Sequence, residues 1–230
     1  MSRVAWIIFT VVIVALIGGL VVYSRATSPS LDVSTVDTNN ILAASDQNGQ
    51  IGDQVLGNKD SKVILVEYGD FQCPSCAAAH PQIKEAMELY KDRVAFVYRN
   101  FPLTAIHPNA RAAAAAAEAA GLQGKYWEMH DSLYENLQSW QTLSGTERTD
   151  TFVAFARQLQ LDTEKFTTDL ASAEINRKIS FDQALGKKVG VTSTPSFFLN
   201  GEAFSTADST QIVQGSTSTL TGLFDKALAE

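Results

Sequence analysis

The longest apolar run in the chain lies near its amino terminus. Residues 4–23 (VAWIIFTVVIVALIGGLVVY) carry no charge, and a helix of that length spans about 30 Å, the thickness of a bilayer's hydrocarbon core. A cleavable signal peptide has a shorter apolar region, about 7–15 residues, followed by small residues at the cut. Because residues 23–26 (YSRA) form a poor cleavage site, the pattern favours an uncleaved anchor. Residues 1–25 are therefore predicted to be a single transmembrane helix with its flanks.

A polar segment separates this run from the rest of the chain. Residues 26–50 are rich in Ser, Thr, Asp, Asn and Gln, a composition typical of a flexible tether. Patterned apolar positions resume near Ile51 and continue to the carboxyl terminus. We therefore expect a linker over residues 26–50 and one folded domain over residues 51–230.

The first part of this domain alternates between strand and helix patterns. Residues 62–68 (KVILVEY) form a nearly continuous apolar run, as is typical of a strand buried on both faces of a parallel sheet. The pattern of residues 74–90 predicts a helix, and residues 94–98 (VAFVY) predict a second strand. Strand, helix and strand in this order indicate a βαβ unit.

The remainder of the domain predicts a helical block and then a hairpin. Residues 106–185 are poor in strand patterns, and they predict helices over residues 111–120, 125–137, 149–159, 163–170 and 174–185. Two short apolar runs, residues 196–199 and 202–204, flank Asn200-Gly201, which is the strongest short-range signal for a β-hairpin. A last helix is predicted over residues 218–228. The layout is α/β, with a βαβ half, a ββα half and a helical insertion between them.

Composition and charge narrow the classes of function. The chain has 230 residues, of which 45% are hydrophobic and 19% charged, as expected of one anchor and one domain with a buried core. The formal net charge is −7. Because binding to phosphates requires clustered Lys and Arg, which are lacking here, a nucleic-acid partner is not expected.

The only two cysteines are candidates for redox chemistry. Cys73 and Cys76 open the predicted helix directly after a strand, and Pro74 suits the first helical turn. A helix amino terminus favours thiolate over thiol, so Cys73 is expected to be an exposed nucleophile. Cys76 lies one turn further on, near enough to close a disulfide with Cys73 and to resolve a mixed disulfide.

Two other interpretations of a Cys-x-x-Cys pair are half of a zinc site and an inert structural bridge. The chain has three histidines, His80, His107 and His130, and their spacing is not that of metal ligands. A bridge across so short a loop would add little stability, since the constraint grows with loop length. Redox chemistry is favoured, with no metal and no cofactor beyond the cysteine pair.

Three motifs in the domain resemble the DsbA-like branch of the thioredoxin superfamily. They are residues 67–76 (EYGDFQCPSC), residues 124–131 (GKYWEMHD) and residues 191–198 (VTSTPSFF), the last followed by Asn200-Gly201. The resemblance covers roughly residues 51–230. It implies a thioredoxin fold with a helical insertion and the activity of a thiol:disulfide oxidoreductase.

The resemblance also implies roles for individual residues. Cys73 corresponds to the attacking cysteine and Cys76 to the resolving one. Pro195, which the residues alone would identify only as an ordinary proline before a strand, corresponds to a cis-proline that faces the disulfide. Thr194 corresponds to the residue whose backbone pairs with an extended substrate. Glu67 resembles a buried acid that relays a proton to or from Cys76; the alternative is a strand-end carboxylate in solvent.

The two residues between the cysteines depart from the family's best-known oxidising members. Those members have His in the second position, whereas this chain has Pro74 and Ser75. Serine donates a hydrogen bond but brings no positive charge. We therefore expect the Cys73 thiolate to be less stabilised than theirs, and the protein to be a less extreme oxidant.

Three functions are compatible with these features. The first is an oxidase for reduced or unfolded proteins outside the cytoplasm, reoxidised by a membrane partner resembling DsbB or the vitamin K epoxide reductase-like proteins. The second is a membrane-tethered reductase or isomerase, and the third is a peptide-binding or chaperone module. We favour the oxidase, as a monomer anchored in the cell membrane by one span with its catalytic domain on the extracytoplasmic side.

Overall fold

The computed structural model describes residues 31–230 and the isolated positions 6, 9, 10, 12–14 and 18. The chain divides into two units, Met1–Asp32 and Val33–Glu230. The predicted anchor over residues 1–25 therefore lies outside the described residues, apart from those isolated positions. Among the residues that are described, no helix is both long enough and apolar enough to cross a membrane.

The second unit is built on one mixed sheet, which has five strands in the part of the chain that the structure describes. The strands are β1 (Val55–Gly57), β2 (Val63–Gly69), β3 (Val94–Asn100), β4 (Ser196–Leu199) and β5 (Glu202–Ala203). Their order across the sheet is β1-β3-β2-β4-β5. The central strands β2 and β3 run parallel, and every other pair is antiparallel. Almost all residues of β2 and all of β3 are buried, which confirms the prediction from their continuous apolar runs.

Helices cover the sheet and form the insertion. Helix α1 (Pro74–Tyr90) connects β2 to β3, which confirms the predicted βαβ unit. The insertion comprises α2 (Ala110–Gly121), α3 (Tyr126–Glu135), α4 (Leu137–Trp140), α5 (Gly145–Gln158), α6 (Thr163–Asp169) and α7 (Ala173–Lys188). The chain then forms the predicted β4–β5 hairpin and ends with α8 (Thr206–Val213) and α9 (Thr217–Leu228). The structure thus has the predicted thioredoxin-like α/β fold with a helical insertion.

The segment before β1 differs from the flexible linker expected over residues 26–50. Residues 33–50 belong to the same compact unit as the domain. Arg99 of β3 donates hydrogen bonds to the carbonyl oxygens of Thr38 and Asn40, at 2.7 and 2.8 Å. Lys188 of α7 donates to the carbonyl oxygens of Ser34 and Val36, at 2.9 and 2.6 Å. Because these contacts use the backbone of the segment, its polar side-chain composition gave no sign of them.

A buried cluster of charges fixes the end of this segment to the domain. The Asp53 carboxylate lies 2.8 Å from Arg99 Nη2 and 3.1 Å from Lys178 Nζ. Lys178 also lies 2.7 Å from the Asp182 carboxylate, and all four side chains are buried. The opposing charges compensate one another where water does not reach them, so each depends on its partners.

Candidate active site

The two cysteines lie where β2 passes into α1. Cys73 precedes the first residue of the helix in extended conformation, with Pro74 in the first turn. Gly69 ends β2 so close to the ring of Tyr98 that a Cβ atom would collide with it. Both cysteines are free thiols; Cys76 is 1% exposed and Cys73 only 6%. The expectation of an exposed first sulfur is therefore wrong for this state of the protein, because the chain around Thr194 contacts Cys73.

The environments of the two thiols push their pKa values in opposite directions. Hydrogen bonding from the Cys76 thiol, and then from the backbone amides of Cys76 and Ser75, lowers the pKa of Cys73 to about 5, although burial opposes this. Burial raises the pKa of Cys76 well above its usual value, and the hydrogen bond with Cys73 adds to the shift. At neutral pH, Cys73 is a thiolate and Cys76 a thiol. This asymmetry is the one that an attacking and a resolving cysteine require.

Cys73 contacts the turn that contains Thr194 and Pro195 at the backbone of Thr194. The peptide bond between Thr194 and Pro195 is cis. In the thiol form, Cys73 Sγ donates a hydrogen bond of 3.3 Å to the carbonyl oxygen of Thr194. The next residue, Ser196, opens β4 and pairs with Tyr68 of β2. Because β4 neighbours β2, the turn before β4 meets the start of α1 at one end of the sheet.

Glu67 is a buried acid beside the cysteine pair. It is 2% exposed and lies between Tyr98 of β3 and Phe197 of β4 in the register of the sheet. Among the described residues, its Oε1 atom has no hydrogen-bond partner. Burial, and then the charge of Cys73, raise the pKa of Glu67 to about 8, while hydrogen bonding from Cys76 lowers it. The interpretation of Glu67 as a solvent-exposed carboxylate is therefore wrong.

Asp70 organises the loop that precedes the cysteines, a role that the sequence did not reveal. Its carboxylate accepts hydrogen bonds from the backbone amides of Gln72, at 2.7 Å, and Leu103, at 2.8 Å. It also lies 2.9 Å from Nδ1 of His107. Asp70 is 1% exposed, so these donors satisfy a carboxylate that water does not reach. The residue lies inside a recognised motif, but its partners in the loop after β3 are distant in sequence.

Gln72 connects the same loop to the helical insertion. Its side-chain amide donates to the carbonyl oxygen of Gln141 at 2.8 Å, and its side-chain oxygen accepts from the backbone amide of Asn109 at 2.7 Å. Asn109 donates in turn to the carbonyl oxygens of Gln141 and Leu143. The position of Cys73 is thus set by contacts with the insertion as well as by the sheet.

The structure brings together residues that the sequence left apart. His80 of α1 and His130 of α3 lie with their ring centroids 5.2 Å apart, next to Asp131. Burial lowers the pKa of His80 to about 4 and also lowers that of His130. Sequence spacing gave no sign of a metal-ligand group, yet ligand atoms of these three residues all lie within 4.8 Å of one another.

Comparison with known proteins agrees with this geometry. A family model described as thioredoxin matches residues 50–215. A thioredoxin-like oxidoreductase from Silicibacter pomeroyi DSS-3 has a similar structure, with a TM-score of 0.60 and 29% identity over 77% of this chain and 93% of that one. The structure of alpha-DsbA1 from Wolbachia pipientis gives a TM-score of 0.63 at 21% identity, over 77% of this chain and 91% of that one. The family model confirms the thioredoxin part of the resemblance inferred from the motifs, and both structures share the fold of this chain.

A curated relative matches only in part. A protein named Na(+)/H(+) antiporter NhaA 1, from Salinispora arenicola, is 39% identical over 149 residues. The match covers 65% of this chain but 22% of the relative. The chain therefore spans a minor part of the length of that protein.

Proposed function

Since the chain belongs to the thioredoxin family, we propose that it is a DsbA-like thiol–disulfide oxidoreductase that introduces disulfide bonds into secreted or membrane proteins. Cys73 and Cys76 form its redox couple, and no further cofactor takes part. The observation that carries the proposal is the opposite shift of the two thiol pKa values, which makes Cys73 a thiolate and Cys76 a thiol at neutral pH.

This asymmetry favours donation of the disulfide. A stabilised Cys73 thiolate stabilises the reduced form of the enzyme, and a couple whose reduced form is stabilised is a stronger oxidant. A thiol of low pKa is also a good leaving group, so a mixed disulfide through Cys73 is resolved readily by a second substrate thiol. Both effects favour transfer of electrons from the substrate to the enzyme.

The proposed reaction begins with the Cys73–Cys76 disulfide. A substrate thiolate attacks the Cys73 sulfur, the more accessible of the two; the S–S bond breaks, and Cys76 leaves as a thiolate that takes up a proton. A second substrate thiolate then attacks the substrate sulfur of the mixed disulfide, and Cys73 leaves as a thiolate. The substrate dithiol has lost two electrons to the enzyme and holds a new disulfide.

Glu67 is proposed to supply and recover the proton of Cys76. Its carboxyl is buried and its pKa is about 8, so the group holds a proton at neutral pH and can release it near that pH. A proton donor is needed there because an unprotonated Cys76 thiolate is strongly disfavoured by burial. Glu67 would protonate Cys76 as it leaves, and it would accept the proton when the disulfide forms again.

Substrate is proposed to bind by its backbone beside the cis-proline turn. Thr194 faces Cys73 with its backbone, and Pro195 follows it directly before β4. An extended segment that pairs with backbone groups is recognised with little dependence on its side chains. The proposed substrates are therefore many reduced or unfolded proteins rather than one.

The proposal includes a location for the protein and a partner that reoxidises it. Residues 1–25 would anchor the protein in the cell membrane by a single span, with the domain on the extracytoplasmic side, where disulfides persist. A membrane reoxidase resembling DsbB or the vitamin K epoxide reductase-like proteins would restore the Cys73–Cys76 disulfide. Ion transport is not part of the proposal, because the match to the antiporter covers only 22% of that protein's length.

Stoichiometric oxidation of a reduced protein tests the proposal. The oxidised chain is mixed with a reduced, unfolded secreted protein, and free thiols are counted over time without any other oxidant. We expect each molecule of oxidised chain to remove two substrate thiols and to gain two itself. If the substrate keeps its thiols, while the reduced chain instead cleaves disulfides of a folded protein, the chain is a reductase and the oxidase proposal fails.

A further inference from the structure

A second cluster of reactive side chains lies between α1 and α3, apart from the redox pair. It consists of His80 on α1 and of His130 and Asp131 on α3. Asp131 Oδ1 lies 3.6 Å from His80 Nε2 and 3.3 Å from His130 Nδ1. We call these three residues the HHD cluster. Its carboxylate faces both imidazoles with the same oxygen atom.

Each histidine of the HHD cluster is buried and has one ring nitrogen without a hydrogen-bond partner among the described residues. His80 is 6% exposed and His130 is 3% exposed. Among the residues that the structure describes, neither Nε2 atom has a hydrogen-bond partner. Buried polar atoms without partners are uncommon and unfavourable, and each one calls for an explanation. His80 Nε2 is such an atom and lies 3.6 Å from the Asp131 carboxylate, which His130 faces with Nδ1. The unpartnered nitrogen beside a carboxylate and a second imidazole indicates that the cluster binds a cation.

We propose that the HHD cluster binds a divalent transition-metal cation of the zinc class. Two imidazole nitrogens and one carboxylate oxygen are a donor set that suits zinc, and the neighbouring metals with an affinity for imidazole. Ligand atoms about 2.0–2.1 Å from a tetrahedral ion lie roughly 3.3–3.4 Å from one another. The two spacings to Asp131, 3.6 and 3.3 Å, are close to that edge. The spacing between the imidazole nitrogens, at most 4.8 Å, would have to shorten when the ion binds.

The positive charge of a nearby lysine repels a bound cation and so weakens the affinity of the HHD cluster for metal. Lys84 Nζ lies 2.7 Å from Asp131 Oδ2, the carboxylate oxygen that faces away from the histidines, and 2.8 Å from Glu135. The Lys84 side chain is 47% exposed, so it can remain with Glu135 while Asp131 turns toward the metal. Removal of this charge by Lys84→Gln should therefore tighten the binding of metal.

A bound ion would join the helix of the redox pair to the insertion. His80 follows Cys76 by one helical turn on α1, whereas the other two ligands belong to α3. A cation held by both helices binds the folded protein and not the unfolded one, so it raises stability in proportion to its concentration. The site would thus reinforce the packing of α1 against α3.

Titration of the oxidised full chain in detergent tests this inference, because the disulfide makes both sulfurs unavailable to the metal. Co²⁺ is added while the visible absorption of its bound form is recorded, and Zn²⁺ affinity is then measured by competition with a coloured chelator. We expect one ion per chain. His80→Gln, His130→Gln and Asp131→Asn should each weaken binding at least about tenfold.

His107 provides a matched control, since it is the remaining histidine of the chain and lies elsewhere, beside Asp70. His107→Gln should retain the affinity of the parent protein. If circular dichroism shows that a buried histidine variant does not fold, Asp131→Asn provides the test of metal binding instead. Its side chain is 29% exposed and the change is nearly isosteric. Absence of saturable binding, or binding that survives Asp131→Asn, or loss of binding with His107→Gln, would overturn the proposal.

Discussion

The sulfur of Cys73 lies 3.3 Å from the carbonyl oxygen of Thr194, although the two residues are 121 positions apart in the chain. Cys73 is brought there by the turn from β2 into α1, and Thr194 by the turn that enters β4. Because β2 and β4 are neighbours in the sheet, both turns reach the same end of it. The reactive sulfur and the backbone proposed to receive a substrate therefore form one site.

Replacement of each cysteine by serine should separate their two roles. Cys73→Ser removes the attacking sulfur and should abolish disulfide exchange. Cys76→Ser keeps the attacking sulfur but removes the one that releases it, so a mixed disulfide with substrate should accumulate and be visible by non-reducing electrophoresis. A Cys73→Ser protein with full function in cells would instead support a peptide-binding module.

The Cys73 thiolate should depend on Cys76 and on the residue between them. The hydrogen bond from Cys76 is the largest contribution that lowers the pKa of Cys73, so Cys76→Ala should raise that pKa from about 5 by about 1–3 units. Ser75→His adds a group that can carry positive charge and should lower it, whereas the neutral control Ser75→Gln should not.

The rate of alkylation by iodoacetamide, measured against pH, reports these pKa values directly. An unchanged midpoint in Cys76→Ala would contradict the role assigned to the Cys76 thiol. A midpoint for the parent protein as acidic as that of the most oxidising DsbA proteins would contradict the expectation drawn from Ser75.

Glu67 should make the stability of the protein fall as the pH rises. Its pKa is raised in the folded state, so folding is favoured below pH 4.5, and this advantage is lost as the pH rises through about 8. Glu67→Gln removes this dependence of the free energy of unfolding on pH. It should stabilise the reduced protein by about 2–4 kcal/mol at neutral to mildly alkaline pH. Urea unfolding across this pH range tests it, with the exposed Glu202→Gln as a control that should change neither slope nor midpoint.

The same substitution should slow catalysis. If Glu67 transfers the proton of Cys76, Glu67→Gln should reduce the rate of exchange by about a hundredfold, the lower end of what general acid–base catalysis contributes. The pH dependence of the rate near pH 8 should vanish with it. A variant that loses neither rate nor pH dependence would show that Glu67 is a buried group without a part in proton transfer.

Asp53 should contribute strongly to stability because its carboxylate is shared by two buried cationic side chains. Asp53→Asn leaves Arg99 and Lys178 buried without their shared carboxylate, and loss of one partner from a buried ion pair costs about 3–5 kcal/mol. The exposed control Asp60→Asn should change stability by less than about 0.5 kcal/mol. Denaturant unfolding distinguishes the two; equal stabilities would contradict the assigned role of the cluster.

The elements that the sequence predicted are those with a strong local pattern. The apolar runs of β2 and β3, the helix that begins after Cys73 and the Asn200-Gly201 hairpin each carry their signal within a few residues. Strand β1 and helices α4 and α8 were not predicted. Strand β1 has three residues of mixed burial, and α8 buries only Ile212, so neither presents a repeat long enough to identify.

The parts of the site that escaped prediction depend on contacts distant in sequence. Asp70 bonds to the loop after β3, and His80 meets His130 only when α1 packs against α3. The burial of Glu67 likewise follows from the strands on either side of it. Residues 33–50 were misjudged for a related reason, since composition describes side chains, whereas Arg99 binds this segment through the backbone carbonyls of Thr38 and Asn40.

The reduction potential of the Cys73–Cys76 couple tests the central claim most directly. The full chain in detergent is equilibrated in glutathione buffers of known potential, and the oxidised fraction is measured by alkylation of free thiols. A disulfide donor should give a value well above roughly −200 mV. A value near or below about −270 mV, where thioredoxin lies, would contradict the oxidase and identify a reductase.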